Sequence, residues 1–331
     1  MTELSHRKRM EICLAGEIAD RPPVALWRHF PVDDQSPDGL AAAISNFQRT
    51  FDFDFIKVTP ASSYCIKDWG VNDVWRGNPE GTRDYDETLI KDFSDWEKLK
   101  VLHPRKGHLG QMLECLELIV KEFSMTTPVI QTIFSPLSQA KNLVGKENLL
   151  VHMRACPDTF KTGLEIITQS TLNFMEELKK TGIDGIFYAV QHAQFSHLSI
   201  SEFQTFGRFY DLQILEAAKS FWLNVGHIHG DHIMFDQVCD YPVQVLNWHD
   251  QQTSPTLSEA QEQFKGVVCG GLRQWETMVM GTPQAVYQEA QKAIDQTTGS
   301  RFILGTGCVI PITAPYGNIL AARHAVESQK E

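Results

Sequence analysis

Three histidines and an aspartate lie close together in the stretch NVGHIHGDH, which covers positions 224–232. Side chains alternate along an extended strand, so His227 and His229 would point to the same face. Two such imidazoles can bind a metal ion, and Cys308 in the stretch GTGCVIP could add a thiolate. A catalytic zinc ion typically has three protein ligands of this kind and one open position. A polar loop with an unrelated buried cysteine is the alternative, and spacing alone does not exclude it.

Further polar side chains that could do chemistry follow short apolar runs elsewhere in the chain. Arg28 could hold a substrate carboxylate or phosphate in a two-pronged contact, or form a salt bridge with an acidic loop. His249 and Asp250 could act as a general acid–base pair or as a hydrogen-bonded structural pair. Lys57 is expected to be buried, so it needs a partner, either a substrate carboxylate or an acid such as Asp54. The remaining candidates are His192 for catalysis and, for substrate binding, Gln191, Asn247 and Thr306.

These residues lie in or next to six of eight short apolar runs, which alternate with amphipathic stretches. The runs are rich in Val, Ile, Leu and Phe, which is typical of strands buried on both faces. A helix between successive strands requires parallel pairing, so the pattern predicts a single α/β domain over residues 1–331, a closed (β/α)8 barrel of the TIM type. An open doubly wound sheet is the alternative, but its GxGxxG signal after the first strand is missing. The predicted strands cover 24–30, 53–60, 129–136, 182–191, 221–230, 243–250, 266–272 and 301–310.

The barrel prediction tells where the polar residues should meet. Barrel enzymes build their active sites at the C-terminal ends of the strands, so the candidate side chains are expected around one mouth. The stretch from 61 to 128 is too long for one loop and one helix. We therefore expect an insertion there that lies over the barrel mouth.

Composition excludes several classes of function. The 331 residues carry a net charge of −11 with no run of lysine or arginine, which argues against a nucleic-acid partner. The sequence contains no run of about 18 apolar residues, so no membrane span is predicted. The N-terminus also lacks the apolar segment of a secretory signal. The seven cysteines show no disulfide-like spacing, so a cytoplasmic protein with reduced thiols is expected.

Segments spread from about Arg21 to Val326 resemble the uroporphyrinogen decarboxylase superfamily. They are RPPVALWRH, FDFDFIKVTP, GIDGIFYAVQHA, VQVLNWHD, GGLRQWETMVMGTPQAV and RFILGTGCVIPITAPYGNILAARHAV. The resemblance implies a single distorted (β/α)8 barrel with its cleft at the C-terminal ends of the strands. The superfamily contains true decarboxylases and methyltransferases linked to cobalamin or thiols.

The decarboxylase branch matches this sequence at few of its characteristic positions. Arg28 corresponds to the first of two expected arginines, but HFPVDD replaces the segment with the second. Phe134 stands near an expected tyrosine, Gln191 replaces a serine, and Thr306 replaces a histidine, whereas His192 is retained. Metal-independent decarboxylation of uroporphyrinogen is therefore the alternative function, and a non-catalytic ligand-binding barrel is a further one.

The methyltransferase branch matches better. Its members bind zinc through a His-x-Cys after the fifth strand and a cysteine in the last-strand loop, where this sequence has His227-Ile-His229 and Cys308. The resemblance implies zinc-dependent methyl transfer or O-demethylation of a small carboxylate- or methoxy-bearing substrate. Histidine in place of cysteine makes the site a stronger Lewis acid, which suits polarising an oxygen. The methyl partner could be a corrinoid on a corrinoid protein, tetrahydrofolate or a thiol, and a homodimer is the family-level expectation.

Overall fold

A computed structural model describes residues 4–327, and its centre is a sheet of seven parallel strands. The sheet order is β1-β4-β5-β6-β7-β8-β9, so neighbours in the chain are neighbours in the sheet, apart from a small hairpin formed by β2 and β3. The strands are β1 Ile56–Val58, β2 Asp73–Val74, β3 Asp84–Tyr85, β4 Val129–Phe134, β5 Gly185–Val190, β6 Val225–Ile228, β7 Val245–Trp248, β8 Val267–Leu272 and β9 Phe302–Thr306.

Helices connect the strands and pack on the outside of the sheet, for example α2 on β1, α3 on β4, and α9 and α10 on β8. They are α1 His6–Leu14, α2 Pro37–Phe51, α3 Gly107–Phe123, α4 Pro136–Val144, α5 Lys146–Ala155, α6 Pro157–Thr181, α7 Ile200–Glu202, α8 Phe209–Ala217, α9 Leu257–Gln263, α10 Pro283–Thr297 and α11 Tyr316–His324. Local signals set their ends. Proline occupies the first turn of α2, α4, α6 and α10, and α6 stops at Gly182 in the left-handed conformation. No helix within residues 4–327 is long and apolar enough to cross a membrane.

The first of the eight predicted strands is not a regular strand. Residues 24–30 contribute a single parallel bridge, between Val24 and Leu304. The backbone N–H of Asp54, just before β1, also donates to the carbonyl of Val24 at 2.9 Å, so this segment touches both edges of the sheet. The carbonyl of Pro23 still accepts from the N–H of Leu304, but the N–H of Val24 donates to the Asp54 carboxylate at 2.8 Å instead of to a neighbouring strand. The sheet therefore has seven strands, with the first predicted strand present as one bridge, and the closed eight-stranded barrel is not confirmed.

The stretch predicted as an insertion has two parts. Residues 107–123 form α3, which is the ordinary helix between β1 and β4. The preceding part holds the hairpin of β2 and β3 and two short 3-10 helices, Lys67–Trp69 and Phe93–Lys98. It reaches the loop after β9, because the N–H of Ile312 donates to the carbonyl of Pro79 at 2.7 Å. The extra residues thus end before α3 rather than at position 128.

A buried ionic cluster joins α1 to the start of β1. The carboxylate of Asp54 is fully buried and accepts from Arg9 at 2.6 Å, from Arg21 at 2.7 Å and from His6 at 3.0 Å. Asp54 therefore does not pair with Lys57, which the sequence had left open. These partners hold the pKa of the Asp54 carboxyl down to about 2 against the effect of burial. The cluster stabilises the end of the sheet opposite to the site described next.

Candidate metal centre

Three strand ends bring four possible metal ligands together. His227 is in β6 and His229 directly follows it, His249 follows β7, and Cys308 comes two residues after β9. The C-terminal ends of parallel strands open on the same side of the sheet. One ligand atom from each of the four side chains lies within 4.8 Å of all the others. The structure thus unites the three predicted ligands and adds His249, which the sequence had suggested for proton transfer.

A glycine permits this close approach. A Cβ placed on Gly307 would lie 2.6 Å from the Cα of His249 and 2.9 Å from the carbonyl oxygen of Trp248. Real Cβ atoms do not come so near to backbone, so only glycine fits between the ends of β7 and β9. Cys308 follows it, with Sγ 3.7 Å from Nδ1 of His229.

Hydrogen bonds orient two of the imidazoles. Asn247 is fully buried, and its amide group donates to the carbonyls of Cys269 at 2.9 Å and Thr306 at 3.0 Å. These two bonds leave its Oδ1 as an acceptor, 2.7 Å from Nδ1 of His227. Nδ1 of His227 therefore carries the proton, and Nε2 presents a lone pair for a ligand.

His249 is oriented in the same way by Gln252, whose Oε1 lies 3.1 Å from its Nδ1. Its Nε2 is buried and has no hydrogen-bond partner among the described residues. An unpaired buried nitrogen costs free energy, unless the site binds something that accepts its lone pair. The donor set of three imidazoles and one thiol fits zinc, whose 2.0–2.3 Å bonds require ligand atoms ~3.5 Å apart in a tetrahedron.

Burial controls the protonation of these ligands. It lowers the pKa of His227 well below the ordinary range, that of His229 to about 4, and that of His249 in the same direction. All three rings are therefore neutral near pH 7, which is the form that binds a metal. Burial also raises the pKa of the Cys308 thiol to about 11, although the nearby Lys57 ammonium acts in the opposite direction. Cys308 would become a thiolate at neutral pH only with a cation beside it.

Comparison with known proteins identifies the family of the chain and a methyltransferase among its relatives. Residues 5–329 match the family described as uroporphyrinogen decarboxylase (URO-D). The chain belongs to this family. Within a broader set of curated proteins, it is 22% identical over 238 residues to the methylcobamide:CoM methyltransferase MtbA of Methanosarcina acetivorans, covering 70% of this chain and 67% of the relative. The resemblance inferred from the sequence is thereby confirmed at the level of the family.

Solved structures agree on the fold. A methyltransferase from Methanosarcina mazei superposes with a TM-score of 0.85 at 17% identity, over 98% of each chain. A B12-independent methionine synthase from Shewanella sp. W3-18-1 superposes with a TM-score of 0.58 at 14% identity, over 92% of this chain and 91% of the other. At these identities the likeness concerns the fold, and the site of this URO-D family member has to be interpreted from its own residues.

Asp250 does not form the predicted pair with His249. Its two carboxylate oxygens accept from the backbone N–H of Gly271 at 3.2 and 3.1 Å, and one accepts from the Gln251 amide at 2.7 Å. Burial raises the pKa of the Asp250 carboxyl to about 7. The side chain is thus turned toward β8, where it ties the end of that strand to the loop after β7, and Gln252 takes its expected place beside His249.

Lys57 lies inside the barrel, as its position in the sequence predicts. Its ammonium is 4.4 Å from the centre of the Phe187 ring and donates to Thr59 Oγ1 at 3.1 Å. No carboxylate in residues 4–327 forms an ion pair with it, and burial lowers its pKa to about 7. The Phe187 ring also stacks on His227, with ring centres 5.2 Å apart. Lys57 therefore places an amine without a carboxylate partner beneath the four possible ligands.

Arg28 lies apart from this group. Its guanidinium packs over the rings of Phe30 and Phe47 at 5.1 and 5.3 Å and donates to the carbonyl of Ile312 at 3.3 Å. Phe47 belongs to α2, on the outside of the sheet. Trp27, the preceding residue, packs against Phe187 inside the barrel. The structure thus gives Arg28 no contact with the histidines in the described part of the chain.

The remaining predicted residues fall into two groups. Thr306 and Asn247 are fully buried behind the ligands, and Thr306 Oγ1 donates to the carbonyl of Cys308 at 2.6 Å. They shape the loop and orient a ligand rather than face a substrate. Gln191 and His192 line a cleft of about 470 Å³ that also reaches His229.

Sequence reasoning missed two charged side chains near the site. Glu80, from the segment before α3, accepts from Trp275 Nε1 at 3.1 Å. Its charge opposes the lowering of the His249 pKa by burial and adds to the rise of the Cys308 pKa. No sequence pattern around Glu80 identifies it as a site residue. Lys141 lines the cleft on α4, where every other residue is buried. A lysine in a helix whose other residues are all buried could have marked Lys141 as a candidate site residue.

Proposed function

We propose that this chain is a zinc-dependent methyltransferase whose metal is held by His227, His229, His249 and Cys308. The observation that carries the proposal is the grouping of their ligand atoms within 4.8 Å. Two further facts support it: the buried, unpaired Nε2 atom of the partly buried His249, and the methyltransferase among the relatives of the chain. His249 adds a fourth ligand to the three that the sequence suggested. Because four protein ligands fill a tetrahedral zinc site, one of them would have to dissociate before a substrate could coordinate the zinc.

The residues around the metal would each contribute to the reaction. When bound, zinc would supply Lewis acidity, which favours the anionic form of a thiol or polarises an oxygen. Asn247 and Gln252 hold two imidazoles in fixed tautomers, so the ligand geometry is set before substrate arrives. Lys57 adds positive charge next to the thiol of Cys308. Trp27 and Phe187 close the inner side of the site with apolar surface, which limits access of water.

The reaction class is methyl transfer to or from a small molecule. With methylcobalamin as donor and a thiol as acceptor, the Co–C bond breaks heterolytically, a C–S bond forms, cob(I)alamin leaves, and the thiol proton passes to solvent. The methylcobamide named for the relative MtbA supports a corrinoid donor, carried on a corrinoid protein, as the first choice. Methyltetrahydrofolate is the second donor to test, and a methoxy-bearing acid would be the substrate of an O-demethylase.

Metal content is the first test. Purified wild-type protein is expected to hold about one zinc ion per chain, measured by elemental analysis after dialysis. Cys308→Ala should lose most of it, and His249→Ala should lower the zinc affinity. The matched control is Cys156→Ala, since Cys156 is a free thiol of similar exposure on the outer helices. Zinc content that is the same in Cys308→Ala and Cys156→Ala would refute the proposed ligand set.

Turnover is the second test. The loss of the methylcobalamin absorbance in the presence of a thiol should require zinc and should be abolished in Cys308→Ala. A parallel assay measures release of carbon dioxide from uroporphyrinogen after treatment with a chelator. Chelator-insensitive decarboxylation without methyl transfer would support the alternative function and contradict ours.

A further inference from the structure

The cleft beside His229 carries an unusual concentration of cationic and imidazole groups. One wall comes from α4 and α5 and holds Lys141 and Lys146, and the opposite wall holds His192, His197 and His229. Glu147 is the acidic residue among its lining. Since His229 is also one of the possible metal ligands, the cleft leads directly from open solvent to the metal centre.

Lys141 forms no ion pair with any described residue of this cleft. Among the described residues its ammonium forms no ion pair or side-chain hydrogen bond, and burial and the neighbouring Lys146 lower its pKa to about 8. It lies close enough to His192 and His229 for its charge to lower the pKa of both. Its place in the last turn of α4 gives it a favourable position near the carbonyl end of that helix, but does not explain why a partly buried ammonium without an ion pair lies near two imidazoles.

His192 provides a second, independent indication of a ligand. The residue is only 7% exposed and lines the cleft, and its Nδ1 has no hydrogen-bond partner among residues 4–327. The pKa of its ring is lowered to about 3, first by burial, so the ring is neutral and can donate one hydrogen bond. A buried polar atom without a partner is uncommon in folded proteins and suggests that something else pairs with it.

We infer that Lys141 and His192 form a subsite for the carboxylate of a small organic acid whose reacting sulfur or oxygen extends to the metal centre. An ammonium and an imidazole N–H match the charge and the acceptor geometry of such a group. The inference deepens the proposed function and rests on it for the position of the reacting atom. The anion site itself is built from residues outside the ligand set, so it can be tested separately.

The test uses the full-length protein loaded with Co²⁺ in place of zinc, at pH 7. Two thiols of similar size, 3-mercaptopropionate and the uncharged 3-mercapto-1-propanol, are titrated while the thiolate-to-cobalt absorption band is followed. Wild-type protein should bind the carboxylate about tenfold more tightly, as expected of a charge-assisted hydrogen bond. In Lys141→Met this preference should disappear, with the affinity for the uncharged thiol unchanged.

Two control variants locate the effect. Lys219→Met removes an exposed lysine that pairs with Glu216 and should behave as wild type. Lys57→Met removes the cation inside the barrel. If the preference survives in Lys141→Met and is lost in Lys57→Met, the carboxylate lies in the barrel interior and the inference is overturned.

A metal-free measurement separates this inference from the proposed function. In apo protein, propionate should raise the melting temperature more than propanol does, and Lys141→Met should abolish the difference. If the protein binds no cobalt but keeps this Lys141-dependent effect, the proposed function fails and the anion subsite stands. The subsite is refuted if wild-type protein prefers neither 3-mercaptopropionate nor propionate over its uncharged analogue, or if Lys141→Met keeps that preference. This holds whether or not the protein binds a metal.

Discussion

Asn247 is the residue whose removal tests the organisation of the proposed metal centre most directly. It makes three buried hydrogen bonds, one from His227 and two to the backbone carbonyls of Cys269 within β8 and Thr306 at the end of β9. Asn247→Ala leaves all three partners unsatisfied in a buried site. Each such group costs about 1–3 kcal/mol, so we expect a loss of unfolding free energy of about 3 kcal/mol or more. The zinc affinity should fall by about 10–100-fold, because His227 loses the bond that fixes its tautomer.

Asn224 offers a matched control. It is another fully buried asparagine, with amide bonds to Ala218 and Phe221 and an oxygen that accepts from the N–H of Ile186. It precedes β6, at the end of the sheet opposite to the histidines. Asn224→Ala should therefore lose a similar amount of stability and keep the wild-type zinc affinity.

The assay combines urea unfolding of the apo proteins with competition for zinc against a chelating indicator. Both variants should show lower urea midpoints with unchanged slopes, since the same surface is exposed on unfolding. The two variants should differ only in zinc affinity. A zinc dissociation constant of Asn247→Ala within twofold of wild type would refute the reasoning, and so would an equal loss of affinity in Asn224→Ala.

Two further predictions concern the scaffold. Asp54→Ala leaves buried cations without their partner and should lower the unfolding free energy by about 3–5 kcal/mol in urea, whereas Asp86→Ala, at an exposed ion pair, should change it by less than about 1 kcal/mol. Apo protein should lose stability as the pH falls from about 6.5 toward 4. The folded pKa values of His192 and His229, about 3 and about 4, lie below those of an unfolded chain, so only the unfolded state gains their protons in this range. Each contributes a slope of about 1.4 kcal/mol per pH unit, and so does His29, whose pKa is lowered to about 3. The carboxyls of Asp211 and Asp250, whose folded pKa values are raised to about 6 and about 7, gain protons in the folded state and act in the opposite direction. Urea midpoints that do not change between pH 7 and pH 5 would contradict this.

The sequence alone determined the alternation of strands and helices, because strands buried on both faces leave continuous apolar runs that helices interrupt. It also placed His227 and His229 on one face, since the period of a strand is two, and the parallel order placed Cys308 at the same edge. The predicted strand at residues 24–30 forms only one bridge, and the N–H of Val24 donates to the Asp54 side chain. Its apolar pattern was that of a strand, but hydropathy does not report which partner each N–H finds.

Only the tertiary structure decided which side chains beyond the strand ends face the metal centre. His249 turns toward the other ligands and Asp250 turns away to Gly271, although both follow β7. That choice depends on the backbone dihedral angles of a short loop and on the closeness of Gly307, which no periodicity encodes. Lys141 reaches the cleft because α4 packs beside β5, a contact between segments about fifty residues apart. Strand identity is a local property of the chain, whereas the membership of a site is set by packing between elements that are distant in the sequence.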